Sequence, residues 1–320
     1  RHNVTINNLL PGQFATDRLK SNLAARAKAL NQPFEQFWGA RQNAIPAGRF
    51  GDPAEFGEFC AFLCSAQAAY ITGQNFLIDD GIIAGIISAV MPRRSDNLVE
   101  IGPGLGALTD PLLNRLDRLQ VIEIDRDLIA RLHGLYPPER LVIHEGDVLE
   151  FDFAMLGDDL RVVGNLPYNI STPLLFRFAA FAGHIRDIHV MLQREVVERI
   201  VAAPGDSEFS RLSVMLQYRF DMEMLIDVPA ESFDPAPKVE SAVVRLIPLN
   251  PLPHQARDET LFAEVVSHAF SQRRKTLRNT LKGLVSGDQL AALGINAGAR
   301  AQELSVADFV RIADALAAAV

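Results

Sequence analysis

The sequence has few cysteines and no long hydrophobic run, and each absence excludes a class of protein. Its two cysteines, Cys60 and Cys64, lie four residues apart in a predicted helix. No second Cys or His pair completes a metal site, so we interpret both as small core side chains of a cytoplasmic protein. No apolar segment reaches the roughly 20 residues of a membrane-spanning helix, and no signal-peptide pattern opens the chain. The sequence therefore favours neither a metal nor a membrane as partner.

The composition is that of a globular protein with one basic segment. The 320 residues are 48% hydrophobic and 22% charged, which suits about two domains. A net charge of −8 argues against a general nucleic-acid coat protein. Residues 267–283, however, contain no acidic residue and five basic ones, Arg273, Arg274, Lys275, Arg278 and Lys282. This segment predicts either RNA binding at a defined place or a solvated helix face.

From about residue 82 the chain alternates helical patterns with apolar strands, which predicts a parallel α/β sheet. The predicted strands are 97–101, 119–124, 140–144, 160–165 and 187–192, and two β-rich segments, 214–228 and 239–248, are expected to extend the sheet as an antiparallel hairpin. A Pro-rich linker at 248–258 precedes a predicted small all-helical domain at 259–320.

The front of the chain predicts a short strand, VTINNLLPG, and helices at about 16–43 and 53–66. TGQNFLIDDG (72–81) then permits two interpretations. It reads as the last strand of a preceding sheet, or as a loop that leads into the amphipathic helix IIAGIISAV.

Glycines follow the first strand of the predicted sheet, in VEIGPGLGALT (99–109). Gly102, Gly104 and Gly106 allow a tight turn and a close approach of the backbone to a ligand near a helix N-terminus. Glu123 ends the next strand, where its carboxylate can hold two ribose hydroxyls. The same pattern also describes a dinucleotide site, or glycines that only pack a helix on a strand.

Asp147 follows the third strand, where it can accept a hydrogen bond from an adenine amine or serve as a helix cap or turn residue. The ordered set of Gly102, Glu123 and Asp147 lies at three successive strand ends, where such folds bind ligands.

GNLPYNIST (164–172) ends the fourth strand and is the most specific feature. Asn165 and the backbone of Leu166 and Pro167 provide acceptors for an exocyclic amine, and Tyr168 provides a face on which its ring can stack. The alternative is an Asx turn with a packed tyrosine.

From Gly73 onward the chain resembles the ribosomal RNA small-subunit adenine dimethyltransferases. The resemblance is carried by GQNFL, VEIGPGLGALT, VIEIDRDL, GNLPYNISTPLL, MLQREVVERI, RLSVMLQY, SFDPAPKVESAVVRL and FSQRRKTLRNTL, in family order. It implies a Rossmann-like α/β sheet, S-adenosyl-L-methionine as methyl donor, and two adjacent adenines near the 3′ end of small-subunit rRNA as target. The residues implied to contact the donor are Asn75, Leu77, Gly102, Gly104, Glu123, Asp147 and Asn165.

The resemblance also implies how the RNA is bound. Phe233 would be a second aromatic at the flipped adenine, opposite Tyr168, and Arg273, Arg274, Lys275 and Arg278 would bind phosphates. The family carries a basic arm before GQNFL, whereas this chain has no Lys or Arg between Arg49 and Arg93. We therefore expect weaker RNA docking.

Residues 1–81 resemble the C-terminal part of short-chain dehydrogenases/reductases, through NNLLPGQFATDRL, IPAGRFGDPAEFGEFCAFLCS and YITGQNFLIDDG. No Tyr-x-x-x-Lys pair occurs in 1–80, so we expect this partial α/β fragment to be inactive. The expected domains are 1–72, 73–250 and 256–320, with TGQNFLIDDG common to both resemblances. The alternatives are a nicotinamide-dependent reductase, a non-catalytic ribosome-assembly factor, and a related methyltransferase of large-subunit rRNA.

Overall fold

The computed structural model describes residues 15–30, 32–43, 49–50, 52–53, 76–77, 79–234 and 236–318. The predicted first strand, nearly all of the predicted helix 53–66 with its two cysteines, and Asn75 lie outside these residues.

Two helices form the described front part, α1 (Asp17–Ala29) and α2 (Phe34–Asn43). They replace the single predicted pattern at 16–43, because Pro33 lacks an amide hydrogen and is favoured just before or at a helix start rather than inside one. The apolar side chains of both helices pack with Phe50 in a small cluster whose members all lie between residues 15 and 50. Trp38 lies 4.3 Å from Phe50 between ring centroids.

The central sheet has seven strands, in the order β4-β3-β2-β5-β6-β9-β7. They are β2 (Leu98–Ile101), β3 (Leu119–Glu123), β4 (Leu141–Glu145), β5 (Leu160–Asn165), β6 (Ile185–Gln193), β7 (Phe220–Val228) and β9 (Ser241–Pro248). The strands β2 to β6 are parallel, while β9 pairs antiparallel with both β6 and β7. This confirms the predicted parallel sheet with an antiparallel hairpin at its end.

The prediction of a β segment at 214–228 is wrong for its first residues. Residues up to Gln217 belong to helix α8 (Arg211–Gln217), in which the amide of Ser210 donates to Ser213 Oγ at 2.9 Å and caps the first turn. The helix has two apolar sides: Leu216 packs in the cluster under the sheet, and Val214 packs with the C-terminal helices. A helix that is apolar on two sides lacks the regular spacing of apolar residues that distinguishes a helix from a strand in a sequence.

Helices cover both faces of the sheet. Those of the central part are α3 (Asp80–Val90), α4 (Thr109–Leu113), α5 (Arg126–Leu135), α6 (Ser171–Ala180) and α7 (Arg194–Val201). Helices α3 and α4 pack on one face with Met191, and α6 and α7 pack on the other with Val190. Adjacent residues of β6 point to opposite faces, so the sheet is buried on both sides, as parallel sheets are. Short 3-10 turns occupy Phe153–Leu156, Ala182–His184, Ala230–Ser232 and Ala301–Glu303.

The C-terminal part is helical, as predicted, with α9 (Glu259–Ala269), α10 (Leu277–Thr280), α11 (Gly287–Ala292) and α12 (Val306–Ala317). Its apolar cluster also includes Val214 and Tyr218, from α8 and the residue after it. The Tyr218 hydroxyl accepts from the Ala256 amide at 3.1 Å and donates to Glu259 at 3.2 Å. Tyr218, between α8 and β7, thus bonds to the start of the bundle. We keep 73–250 and 256–320 as proposed domain bounds.

The segment TGQNFLIDDG is resolved in favour of its second interpretation where the structure describes it. Strand β1 (Phe76–Leu77) pairs antiparallel with β8 (Phe233–Asp234). Asp79 Oδ1 accepts from the amides of Gly81 and Ile82 at 2.8 and 3.1 Å, which caps α3. These residues therefore begin the central α/β unit.

A buried ion-pair network anchors the other end of α3. Arg161 Nη2 donates to the Val90 carbonyl at 2.6 Å, and its guanidinium contacts Asp96 at 2.7 Å and Asp187 at 2.8 Å. Arg186 contacts the other oxygen of Asp96, also at 2.7 Å. The helix is thereby fixed to β5 and β6 at its C-terminus and to the segment before β8 at its N-terminus, where Ser232 Oγ donates to Asp79 at 3.3 Å.

Candidate active site

The chain order along the sheet reverses between β2 and β5, which makes their carboxyl ends the expected ligand crevice. Gly164 of β5 pairs with Ile101 of β2. A Cβ at Gly164 would lie 2.7 Å from the Ile101 carbonyl oxygen, closer than any side chain tolerates. Gly164 was not singled out from sequence, although a glycine inside a strand pattern is the signal of such a close backbone approach.

The loop after β2 is a left-handed glycine turn. Gly102, Gly104 and Gly106 have φ of 61°, 56° and 93°, values that side-chain-bearing residues rarely adopt. No atom lies within 4 Å of a Cβ built on Gly102, so that side of the loop faces open space. Close approach of a ligand to this backbone stays a prediction.

Glu123 joins the glycine loop to the end of β3. Its Oε1 accepts from the amides of Ile124 and Asp125 at 2.9 and 3.0 Å, and Oε2 accepts a longer bond from Gly104 at 3.4 Å. The side chain is buried, and burial raises the pKa of Glu123 although these bonds oppose the rise. Two predicted donor-binding features are thus in contact.

Two residues beside this loop were not singled out from sequence. Ile124 is 65% exposed next to Glu123 and offers an apolar surface to a planar ring. Glu100 lies beneath the loop, 2% exposed, and accepts from Thr109 Oγ1 at 2.7 Å. Burial raises the pKa of Glu100 to about 8; the Thr109 bond opposes the rise, and the charges of Glu123 and Asp110 add to it. Glu100 therefore retains its proton at neutral pH.

Asp147 lies after β4 with an exposed side chain. Its Oδ1 accepts from the Leu149 amide at 2.9 Å, the turn role that was the alternative for this residue. The neighbouring Gly146 amide donates to the Glu123 carbonyl at 2.9 Å, which holds this turn against the end of β3. Contact of Asp147 with an adenine amine stays a prediction.

Asn165 is the last residue of β5, and the following backbone is fixed on both sides. The Leu166 amide donates to the Met191 carbonyl at 3.1 Å. The Pro167 carbonyl accepts both from the Ile170 amide and from Ser171 Oγ, each at 3.1 Å. Because a carbonyl has two lone pairs, Pro167 is already used within the turn, which leaves the Leu166 carbonyl as the better acceptor.

Tyr168 bonds to the first residue of β9, and Phe233 belongs to the apolar core on one face of the sheet. The Tyr168 hydroxyl lies 2.7 Å from Ser241 Oγ, and Phe233 packs in the cluster that contains Val243. Ser241 and Val243 share one face of β9, because alternate residues of a strand do. Phe233 is 1% exposed and pairs by its backbone with Leu77, so a base reaches its ring only if the surrounding side chains shift.

The basic segment lies in the C-terminal bundle, between α9 and the end of α10. Arg273, Arg274, Lys275 and Arg278 are all exposed, and Arg273 donates to the Ser207 carbonyl at 2.6 Å. Only Arg278 of these four lies in a helix, which disfavours the alternative of a solvated helix face.

Arg300 is a basic residue near this segment that the sequence analysis did not name. The amides of Leu277 and Arg278 donate to the carbonyls of Ala299 and Ala297, which holds that loop against the start of α10. The exposed Arg300 is the next residue of the loop.

Within the described part of the chain, no three His, Cys, Asp or Glu side chains cluster in a way that could hold a metal ion. No helix in that part has the length and apolar character needed to cross a membrane.

The seven-stranded sheet and the glycine loop at its switch point define a Rossmann-like methyltransferase. The family model of ribosomal RNA adenine dimethylase matches residues 67–318, and the chain belongs to this family. A weaker match, to the model of enoyl-(acyl carrier protein) reductase, covers residues 1–83. The two matches overlap at 67–83, the region that contains TGQNFLIDDG.

Individual relatives agree with the family. Ribosomal RNA small subunit methyltransferase A of Thiobacillus denitrificans is 61% identical over 245 residues, which cover 77% of this chain and 96% of the relative. The protein of the same name from Neisseria meningitidis is 56% identical, over 78% of this chain and 96% of the relative. Among solved structures, a dimethyladenosine transferase from Plasmodium falciparum matches with a TM-score of 0.65 and 28% identity, over 74% of this chain and 95% of that chain. The 23S rRNA methyltransferase ErmE matches with a TM-score of 0.60 and 25% identity, over 76% of this chain and all of that chain.

Proposed function

We propose that this protein transfers methyl groups from S-adenosyl-L-methionine to the exocyclic amines of two adjacent adenines near the 3′ end of small-subunit rRNA, giving N6,N6-dimethyladenosine. The observation that carries the proposal is the Asn165-Leu166-Pro167-Tyr168 turn, which ends β5 next to the glycine loop of β2. Relatives named for small-subunit rRNA methylation are 56 to 61% identical over nearly their whole length.

The residues at the carboxyl ends of β2, β3 and β4 fit this donor. The open side of Gly102 leaves room beside the backbone for a ligand. Glu123 can accept hydrogen bonds from the ribose hydroxyls, and Asp147 can accept one from the adenine amine. Ile124 can pack on the face of the adenine ring. We keep Asn75, Leu77, Gly104 and Asn165 as further proposed contacts. The bound donor supplies a methyl carbon made electrophilic by a sulfonium.

The acceptor amine of adenine is a weak nucleophile because its lone pair is delocalised into the ring. Hydrogen bonds to the Asn165 amide oxygen and the Leu166 carbonyl favour a pyramidal nitrogen, whose lone pair then points at the methyl carbon. Tyr168 stacks on the flipped base, and Phe233 does so after the rearrangement that its burial requires. Catalysis here is mainly positioning.

The exposed cations Arg273, Arg274, Lys275 and Arg278 are proposed to bind rRNA phosphates, with Arg300 beside them. Phosphate contacts of this kind give affinity that falls with salt and carry no base specificity. The adenine is then selected by the turn at Asn165 rather than by the bundle.

The proposal is tested by transfer of labelled methyl groups to small ribosomal subunits that lack the modification, followed by identification of the labelled nucleoside. We expect labelled N6,N6-dimethyladenosine with the wild-type chain and none with Asn165→Ala. Ser213→Ala is the matched control, because Ser213 is buried and bonded to the Arg199 carbonyl, away from the strand ends. Binding of donor and rRNA without any transfer would instead favour a non-catalytic assembly factor, and label on large-subunit RNA alone would contradict the proposed substrate.

A further inference from the structure

A buried serine contacts the proposed base-stacking tyrosine. Ser241, the first residue of β9, is fully buried, and its Oγ lies 2.7 Å from the Tyr168 hydroxyl. The two residues are 73 positions apart in sequence. Ser241 pairs with Gln193 of β6 and with Val228 of β7, so its backbone is held on both sides of the strand.

We propose that Ser241 is a positioning residue for methyl transfer, because its hydroxyl holds the Tyr168 ring in place before the adenine arrives. This inference rests on the proposed role of Tyr168 in stacking. Ser241 itself touches neither the base nor the donor in this proposal.

The surroundings of the two residues explain why a hydrogen bond between them would restrain the Tyr168 side chain. Tyr168 lies in the turn between β5 and α6, outside regular structure and half-buried. Ser241, in contrast, sits in a strand bonded on both edges. The hydroxyl-to-hydroxyl bond therefore connects a side chain on a turn to a strand that is hydrogen-bonded on both edges.

The bond restrains the side chain in a specific way. The phenolic oxygen lies on the axis from Cβ through the ring, so holding it fixes that axis and keeps the ring against the end of β9. Rotation about the axis is restrained less, because the phenolic O–H merely prefers the ring plane. An arriving adenine then meets a side chain whose direction is already set, and little rotamer entropy is lost on stacking.

A purely structural role for Ser241 would show itself differently. A buried hydroxyl needs a hydrogen-bond partner wherever it lies, and its removal lowers stability without changing the chemical step. The two roles are separated by the single-turnover rate of methyl transfer, measured at saturating donor and RNA well below the unfolding temperature.

The experiment is a double-mutant cycle in the full chain with Tyr168→Phe, Ser241→Ala and the double variant. Each single change removes the same bond, from one side or the other. Since such a bond contributes about 0.5–1.5 kcal/mol, we expect each to lower the single-turnover rate about 2- to 10-fold. The double variant is expected to be no slower than the slower single variant. Ser213→Ala, an equally buried serine, controls for loss of a buried hydroxyl and should leave the rate unchanged.

Three results would overturn the inference. If Ser241→Ala behaves like Ser213→Ala while Tyr168→Ala is inactive, Ser241 does not position the ring, and the proposed function stands. If the effects of the two single changes multiply in the double variant, the residues do not act through their shared bond. If Tyr168→Ala is fully active, the stacking role fails and the inference fails with it.

Discussion

The front helices and the central α/β unit differ in how each is held together, although both resemble known families in sequence. Among the described residues of the front part, Leu23 and Phe50 are buried in one small cluster with side chains of α1 and α2. The sheet between residues 98 and 248 is covered by helices on both faces and carries the family's motifs at its strand ends. Two resemblances of similar kind thus accompany two different degrees of packing in the described residues.

The same difference decides where function lies. The reductase-like front contains no Tyr-x-x-x-Lys pair in 1–80. The methyltransferase part brings the Gly102 loop, Glu123 and the Asn165 turn to one edge of its sheet. We therefore expect substitutions in the central unit to change its stability and donor binding. Substitutions in the front helices should change the stability of the front part alone.

The largest expected effect is on the stability of the central unit. Arg161→Met leaves Asp187 without its guanidinium partner in the protein interior, and leaves Asp96 with Arg186 alone. Removing one partner of a buried ion pair costs about 3–5 kcal/mol, and the free energy of unfolding from urea titration measures this loss. Arg94→Ala is the control, because its pair with Asp117 is exposed on both sides and such pairs contribute about 0–1 kcal/mol. Equal losses in both variants would contradict the anchoring role.

A matched pair of glycines tests the two regions for donor binding. Gly102→Val places a branched side chain at φ 61° on the open side of the loop. Left-handed backbone costs about 1–2 kcal/mol in itself, and the side chain also fills the proposed donor space, so we expect at least a tenfold weaker affinity by calorimetry.

Gly39→Ala, in α2 of the front part, is the counterpart. A Cβ there meets no atom within 4 Å, and alanine is the better helix former by about 1 kcal/mol. Donor affinity should not change. A loss of affinity in this variant would show that the front helices contribute to the site.

The third prediction concerns pH. The pKa of Glu100 rises from an ordinary 4.5 to about 8 in the folded protein, so between these values the folded state binds more protons than the unfolded state. Stability must then fall as pH rises through this window. Glu100→Gln keeps an acceptor for Thr109 and removes the titration, so its unfolding midpoint should fall less between pH 5 and 8. Glu150→Gln, which removes an exposed carboxyl, should keep the wild-type slope; equal slopes in both variants would mean that Glu100 is not protonated.

The smallest effect on the central unit is expected from a change in the front core. Leu23→Ala removes a buried side chain from the cluster of α1 and α2, and such a change costs about 2–5 kcal/mol where the packing is tight. We expect faster proteolysis within residues 15–50 and an unchanged unfolding temperature of the central unit. A lower temperature for the central unit would show that the two regions unfold together.

Much of the sheet could be predicted from sequence, because continuous apolar runs mark strands that are buried on both faces. The glycine loop, Glu123 and the Asn165 turn were found in the same way, since strand order and motif spacing define them. The start of the 214–228 segment was predicted wrongly because the apolar residues of α8 serve two cores.

Other features depend on tertiary contacts that no local pattern encodes. The proton on Glu100 results from burial beneath a loop, and the partner of Tyr168 lies 73 residues away at Ser241. Gly164 has a local signal, a glycine inside a strand pattern, but the contact that requires it is with a neighbouring strand. The burial of Phe233, which alters what its proposed role requires, also follows from packing alone.

Helix α8 has one side in the sheet's core and the other in the bundle that carries the basic segment. If the basic segment binds phosphates as proposed, the separation between the bound RNA backbone and the Asn165 turn is set by the packing of this one helix. Docking then limits which adenines can reach the turn, and the turn selects the base.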